Sequence, residues 1–254
     1  MSGFAAFLRK ELLEVRKTWR LWVLGGVFVF LGVGTPIIAA ATPALLKMTA
    51  QRSPGVTVSF PAPTAADAYL QFLGNLVQLA LLVIIITGAA SVASEHRAGT
   101  SVLMLTKPLT RGAFVSAKAV SGLLVLLVAT AIGTGLCIAV TVALFDTALI
   151  AGFVVSVAVW LALAAMFVTL MVLLSAATGR QATAAGVGLG VYVALFVLTG
   201  FPVARDRTPA GILAAGDALV KGRDVALAVP VATTLALAAV FAAAAVVVFR
   251  RKEL

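Results

Sequence analysis

Few side chains in this 254-residue chain are equipped for chemistry, and those few stand far apart. His96 is the only histidine and Cys137 the only cysteine. A zinc site needs three or four such ligands converging, and a Ser-His-Asp arrangement needs an aspartate beside the imidazole. Glu95 adjoins His96, but neighbouring residues on a helix face different ways. The glycines of GVGLG, residues 186–190, have the wrong spacing for a dinucleotide loop. They lie in an apolar run, where Gly186 and Gly190 suit close helix packing. No Gly-Lys pair occurs, so the G-x-x-x-x-G-K-[ST] loop that cradles phosphates is missing. Cys137, also inside an apolar run, reads as packing. The expectation is a protein that is not an enzyme, with no metal site and no cofactor bound by this chain.

One stretch does gather polar chemistry. Residues 94–118 read SEHRAGTSVLMLTKPLTRGAFVSAK and lie between two long greasy segments. Glu95, His96 and Arg97 end the preceding span in water. Gly99 can take a left-handed backbone and close a helix, and Thr100 can cap a short one, TSVLMLT, which Pro108 breaks. Thr110 suits the N-cap of the next helix, with Arg111 in its first turn and Lys118 at a membrane entrance. The segment is expected to be a compact, partly apolar helix-turn-helix rimmed by charge. Read from its residues alone, it is either a well-capped loop or a docking element.

What must position that segment follows from composition. The chain is 62% hydrophobic and 11% charged, far from the roughly half apolar and quarter charged of soluble domains. Its mean hydropathy is +1.15. No water-soluble core of this length hides so much apolar side chain. A helix needs about 20 apolar residues to cross a bilayer. Six such spans are expected, at 21–43, 71–93, 119–143, 148–174, 182–202 and 225–249, in a single all-α transmembrane domain covering 1–254. The third and fourth should form a tight hairpin around Asp146.

Thirteen of the 19 Lys and Arg fall on the side shared by both termini and the 94–118 segment; six, Lys47, Arg52, Arg205, Arg207, Lys221 and Arg223, fall opposite. By the positive-inside rule both termini are cytoplasmic, in a plasma-membrane protein. The net charge of +10 sits at span ends and forms no basic stripe, which points to anionic lipid and not to nucleic acid. No charged residue lies near mid-span, against a charge relay for protons or ions.

Residues 4–22, FAAFLRKELLEVRKTWRLW, place Phe4, Phe7, Leu8, Leu12, Val15, Trp19 and Trp22 on one helical face and Arg9, Arg16, Lys17 and Arg20 on the other. Glu11 intrudes on the apolar face. Such a helix, over 4–20, lies in the membrane interface. It serves either as an anchor for the first span or also as a contact for a cytoplasmic partner. On the outer side, 44–70 is proline-rich and irregular. In 203–224, Pro209 suits a helix start and Gly222 its stop, with Ile212, Leu213, Leu219 and Val220 available to the outer leaflet.

The pattern Glu, three residues, Gly-Thr, an apolar helix, Pro, two residues, Arg, then Lys seven later resembles the signature of ABC-2 type transporter permeases. Here those positions are Glu95, Gly99, Thr100, Pro108, Arg111 and Lys118. The layout is similar too: an N-terminal amphipathic helix, six spans and a short basic C-terminus, FRRKEL. The position of His96 and Ala98 departs from the family, which often has a second charged residue there. The resemblance implies that 94–118 couples this subunit to a separate ATPase subunit, which binds the ATP and Mg. It also implies a second permease copy or a related permease, and export of a lipid-like or amphiphilic compound. The rival expectations are an ATP-independent secondary carrier, which should show repeats that are not visible here, and a non-transporting membrane scaffold.

Overall fold

A computed structural model describes residues 8–11, 13, 19–50, 62–97, 111–145 and 150–251. Those residues contain no strand. Residues 8–11 and 13 are helical. The helices that follow are α1 (Trp19–Ala50), α2 (Ala65–Asn75), a π-helical turn (Leu76–Ala80), α3 (Leu81–Arg97), α4 (Arg111–Phe145), α5 (Ile150–Thr178) and α6 (Gln181–Leu198). Three short helices, α7 (Pro202–Arg207), α8 (Ala210–Ala214) and α9 (Gly216–Val220), precede α10 (Ala228–Arg251). The second span is continuous from α2 through the π turn into α3, which gives six helices long and apolar enough to cross a membrane. The protein is a membrane protein with an all-helical bundle fold.

The first four spans are longer than the apolar runs alone suggest, and the fifth stops short at Leu198. The first runs on to Ala50 through Pro36 and Pro43. Each proline follows a threonine whose hydroxyl donates to a carbonyl one turn back, Thr35 to Leu31 at 2.6 Å and Thr42 to Ile38 at 2.7 Å. Those bonds reinforce the turns that the prolines weaken, as membrane helices commonly allow. The second span begins at Ala65 because Thr64 and Asp67 form a capping box, with the Asp67 carboxylate accepting from the Thr64 amide at 2.8 Å.

The fourth span, α5, is the spine. It contacts α3, α4, α6 and α10. Its Phe153, Trp160 and Phe167 recur every seven residues and are almost wholly buried. Phe153 stacks on Tyr69 at 4.1 Å and meets Phe72 edge-on; Trp160 meets Phe28 at 6.1 Å; Phe167 meets Tyr192 at 6.4 Å. One helix thus presents a ring to the second, first and fifth spans in turn. The first and third spans lie closest where glycines face each other. A Cβ on Gly32 would run into the Gly133 carbonyl oxygen, and one on Gly133 would come within 2.8 Å of that of Phe28.

Gly186 and Gly190 do not pack inside the chain, contrary to expectation: an added Cβ at either meets nothing within 4 Å. The close approach falls on Gly188, against Met171 and Ile85, because it shares the buried face of α6 with Ala184 and Leu195. In the outer segment, Gly222 has φ +65° and stops α9, as expected. The single expected helix is instead split at Ala215 into α8 and α9. Ile212 and Val220 are buried against the bundle and do not lie on lipid, because the apolar side of α8 and α9 folds down over α5 and α6.

Candidate coupling site at the terminal end of the bundle

Residues 8–11 and the last turns of α10 meet at one end of the bundle, called here the terminal end. Leu8 packs there with a small core made of Val92 from α3, Phe114 and Val115 from α4, Ala176 from α5 and Phe249 from α10. This core is separate from the main one around α5. Phe114 and Phe249 stack with centroids 5.2 Å apart, which joins the base of the third span to the end of the sixth. Gly112 leaves room for the α10 terminus: a Cβ there would come within 3.0 Å of Arg250 Nη2 and 3.2 Å of Val246 Cγ1.

Lys118 lies two turns into α4, and its side chain is only 5% exposed. Its Nζ donates to Glu11 Oε2 at 3.1 Å, and that carboxylate is equally buried. The same Nζ sits 5.2 Å from the centroid of the Phe114 ring. Lys10 approaches the other carboxylate oxygen at 3.4 Å from a more exposed position. A buried carboxylate is tolerated only when it is paired and hydrogen-bonded. Glu11, read from sequence as an intrusion on an apolar face, is therefore there to meet Lys118.

The pair caps a cavity of about 100 Å³ lined by Leu24, Thr87, Ser91, Ser121 and Leu126 among others. That is room for roughly three waters at ~30 Å³ each. Among the described residues, the buried Ser91 hydroxyl has no hydrogen-bond partner. Gly88 and Gly122, also on its wall, let α3 and α4 close on α5, with added Cβ atoms 2.8 Å from Met171 and 3.2 Å from Val168.

A second tie holds α3 to α5. Ser175 Oγ accepts from the amides of Val92 at 3.0 Å and Ala93 at 2.9 Å, and donates to the Ala89 carbonyl at 2.8 Å. One hydroxyl thereby clamps a full turn of the second span just before Glu95. Nothing in the sequence marks Ser175, since serines on apolar helices usually bond their own backbone.

Of the residues singled out from sequence, Glu95 lies in the last turns of α3 and Arg111 is the first residue of α4. Gly99, Thr100 and Pro108, with the short helix expected around them, lie outside the described residues. Lys118 is the member of that set whose side chain the structure places, and it faces Glu11. Ser175 is a residue that sequence reasoning missed, and for Glu11 it missed the partner, Lys118.

Both helices that flank 98–110 are therefore tied at their bases to α5, α10 and the N-terminal helix. The chain belongs to the ABC-2 family transporter proteins, whose pattern residues 5–206 match. It is a membrane transporter protein of the permease kind, and permeases of this family in general have an ATPase partner. Two curated relatives are similar along most of the chain. The uncharacterised transmembrane protein YxlG of Bacillus subtilis (strain 168) is 26% identical over 215 residues, covering 84% of this chain and 83% of the relative. The probable ABC transporter permease protein NosY of Stutzerimonas stutzeri is 33% identical over 201 residues, covering 75% of this chain and 65% of the relative.

Proposed function

We propose that this chain is the membrane-spanning subunit of an ABC exporter in the plasma membrane, driven by separate ATPase subunits that bind ATP and Mg. The terminal end is the cytoplasmic end, on the bias of Lys and Arg toward it. Segment 94–118 is the docking element, with Glu95, Gly99, Thr100, Pro108 and Arg111 as its contact and shape-setting residues. Lys118 is a positioning residue that acts through Glu11.

The observation that carries the reading is the fastening at the base of α4. The ion pair, the Phe114–Phe249 stack and the Ser175 clamp give any push on 94–118 a path into four spans and the N-terminal helix. Such a push shifts the balance between two arrangements only if the partner contacts them differently. Two copies, or one copy and a related subunit, form the path for cargo. Support for this comes from α6, whose Gly186, Val187, Gly190 and Val193 are open, and from the little-buried α10. An apolar pathway suits a lipid-like or amphiphilic cargo.

Co-purification with an ATPase and ATP-dependent cargo movement in reconstituted vesicles test the proposal. Glu95→Ala and Arg111→Glu are expected to lower both ATPase pairing and coupled transport. If neither variant changes either quantity, the docking assignment is wrong. Transport that proceeds without the ATPase would instead make the chain a secondary carrier, and no transport with it would make the chain a scaffold.

A further inference from the structure

The chain has five amide side chains, and three of them, Gln71, Asn75 and Gln78, fall within eight residues of the second span. Gln51 belongs to the proline-rich segment 44–70, and Gln181 is the first residue of α6. Asp67 stands one turn before Gln71. Steps of four, four and three residues therefore run from Asp67 through Gln71 and Asn75 to Gln78 along one strip of the helix. Gln78 lies in the π-helical turn Leu76–Ala80, a geometry that recurs at functional sites. It is halfway along the 29-residue span Ala65–Ala93, so at 1.5 Å per residue it sits about 20 Å from the end opposite the termini.

This strip is open. Asp67 and Gln78 are exposed, and Gln71 and Asn75 are partly so. The other side of the helix, with Ala68, Tyr69, Phe72, Leu73, Leu76 and Ala80, is buried in the bundle. A helix set against lipid shows the reverse, with apolar groups outward. Hydrocarbon offers an amide no partner, and polar side chains in membrane spans turn to another helix or to water. Among the described residues, none of the three amides has a hydrogen-bond partner. Room lies beside them: a Cβ on Gly74 would meet nothing within 4 Å. Gly74 and Gln78 line one open-sided cleft, Asp67 and Gln71 another, and neither cleft contains a Lys or Arg.

Water is the occupant that these observations favour over a second helix. The strip is continuous with the aqueous edge at Asp67, whose carboxylate accepts from the Thr64 amide at 2.8 Å and the Thr64 hydroxyl at 2.7 Å. A two-fold contact along the same strip would also bring two Asp67 carboxylates together. We propose that this face of the second span lines a water-filled passage, open at the end opposite the termini and reaching mid-membrane at Gln78, that passes neutral or cationic hydrogen-bonding groups. It supplies the polar half of a path whose open α6 and α10 faces are apolar. The cargo it would carry rests on the exporter reading; the passage does not.

The chain has one cysteine, so Cys137→Ala provides a thiol-free background. Single cysteines then replace Gln71, Asn75 and Gln78. Arg223→Cys is the outer control, and Val128→Cys, 55% exposed halfway along α4, is the lipid control. The full chain in right-side-out membrane vesicles of the expression host is treated with impermeant methanethiosulfonates, one carrying trimethylammonium and one carrying sulfonate. Only thiolate reacts, and it forms in water and not in hydrocarbon. The three strip positions should react with the cationic reagent at least about a hundredfold faster than Val128→Cys. The anionic reagent should lag by roughly tenfold more at Gln78→Cys than at Arg223→Cys, and adding Asp67→Asn should close most of that gap. A rate at Gln78→Cys as slow as at Val128→Cys overturns the passage; should that variant fail to fold, Asn75→Cys is read in its place. Strip cysteines that resist both reagents but join two chains on oxidation also overturn it, and give the face to a second copy. A gap unchanged by Asp67→Asn overturns the charge preference. No ATPase takes part, so failure here leaves the docking proposal standing, and failed docking leaves the passage standing.

Discussion

Replacing Lys118 by methionine keeps the length of the side chain, removes its charge and leaves the Glu11 carboxylate in an apolar setting. The two groups lie 3.1 Å apart, each 5% exposed. Breaking a buried pair by removing one partner costs about 3–5 kcal/mol. Lys10, 3.4 Å from Glu11 and 35% exposed, retains part of the compensation, which favours the lower end of that range. The lost contact over the Phe114 ring, 5.2 Å from Nζ, adds about 1 kcal/mol. At roughly 2–4 °C per kcal/mol for a chain of this size, the midpoint of thermal unfolding should fall by about 8–16 °C for a total near 4 kcal/mol. Removing both charges, with Glu11→Gln and Lys118→Met together, should recover most of the loss, to within about 1 kcal/mol of the parent. The cycle is read by circular dichroism in mild micelles, and its coupling energy isolates the pair. Two outcomes would refute the reasoning: Lys118→Met as stable as the parent, or a double variant whose loss is the sum of the single ones. Because the double variant is expected to fold, it also allows coupled transport to be measured without the latch.

Ser175→Ala removes one acceptor shared by two buried amides and one donor, and should cost about 1–2 kcal/mol. Hydrogen exchange at Val92 and Ala93 should rise, while exchange in α10 stays as before. Gly133→Leu forces the first and third spans apart at Phe28 and should lower the unfolding midpoint by more than Ser175→Ala does, since backbone and not a flexible side chain blocks the new Cβ. Gly186→Leu, by contrast, should leave the unfolding midpoint of a detergent-isolated single chain unchanged, because its Cβ meets nothing. Analytical ultracentrifugation in micelles should show weaker self-association for that variant if α6 faces a second copy.

The number of spans was legible because twenty apolar residues in a row have few fates other than a membrane crossing. Their ends were not, and each miss has a cause. The start of α4 at Arg111 agrees with the helix expected after Thr110, but charge put the third span at 119, whereas Lys118 is buried against a counter-charge 107 residues away at Glu11. The first span was expected to end at 43, but α1 passes through Pro36 and Pro43 and runs to Ala50. The Thr64–Asp67 cap was visible as a Thr-x-x-Asp pattern and would have set the start of the second span correctly. Gly188 was overlooked beside Gly186 and Gly190 because the buried face of α6 depends on where Met171 stands in another helix. At the terminal end, the sequence pattern drew attention to 94–118. What it concealed is that the base of α4 is anchored by residues from three other parts of the chain.

The placement of the aromatic ladder on α5 has a consequence for biogenesis. Phe28, Tyr69 and Phe72 enter the bilayer before residues 150–178 are made, and the rings they pack against, Trp160 and Phe153, belong to that later helix. During synthesis the first three crossings therefore wait, incompletely assembled, for the fourth to arrive. A nascent chain halted before Ile150 leaves those rings without their partners, and one that has reached Thr178 can join them but still lacks α10, which packs along α5.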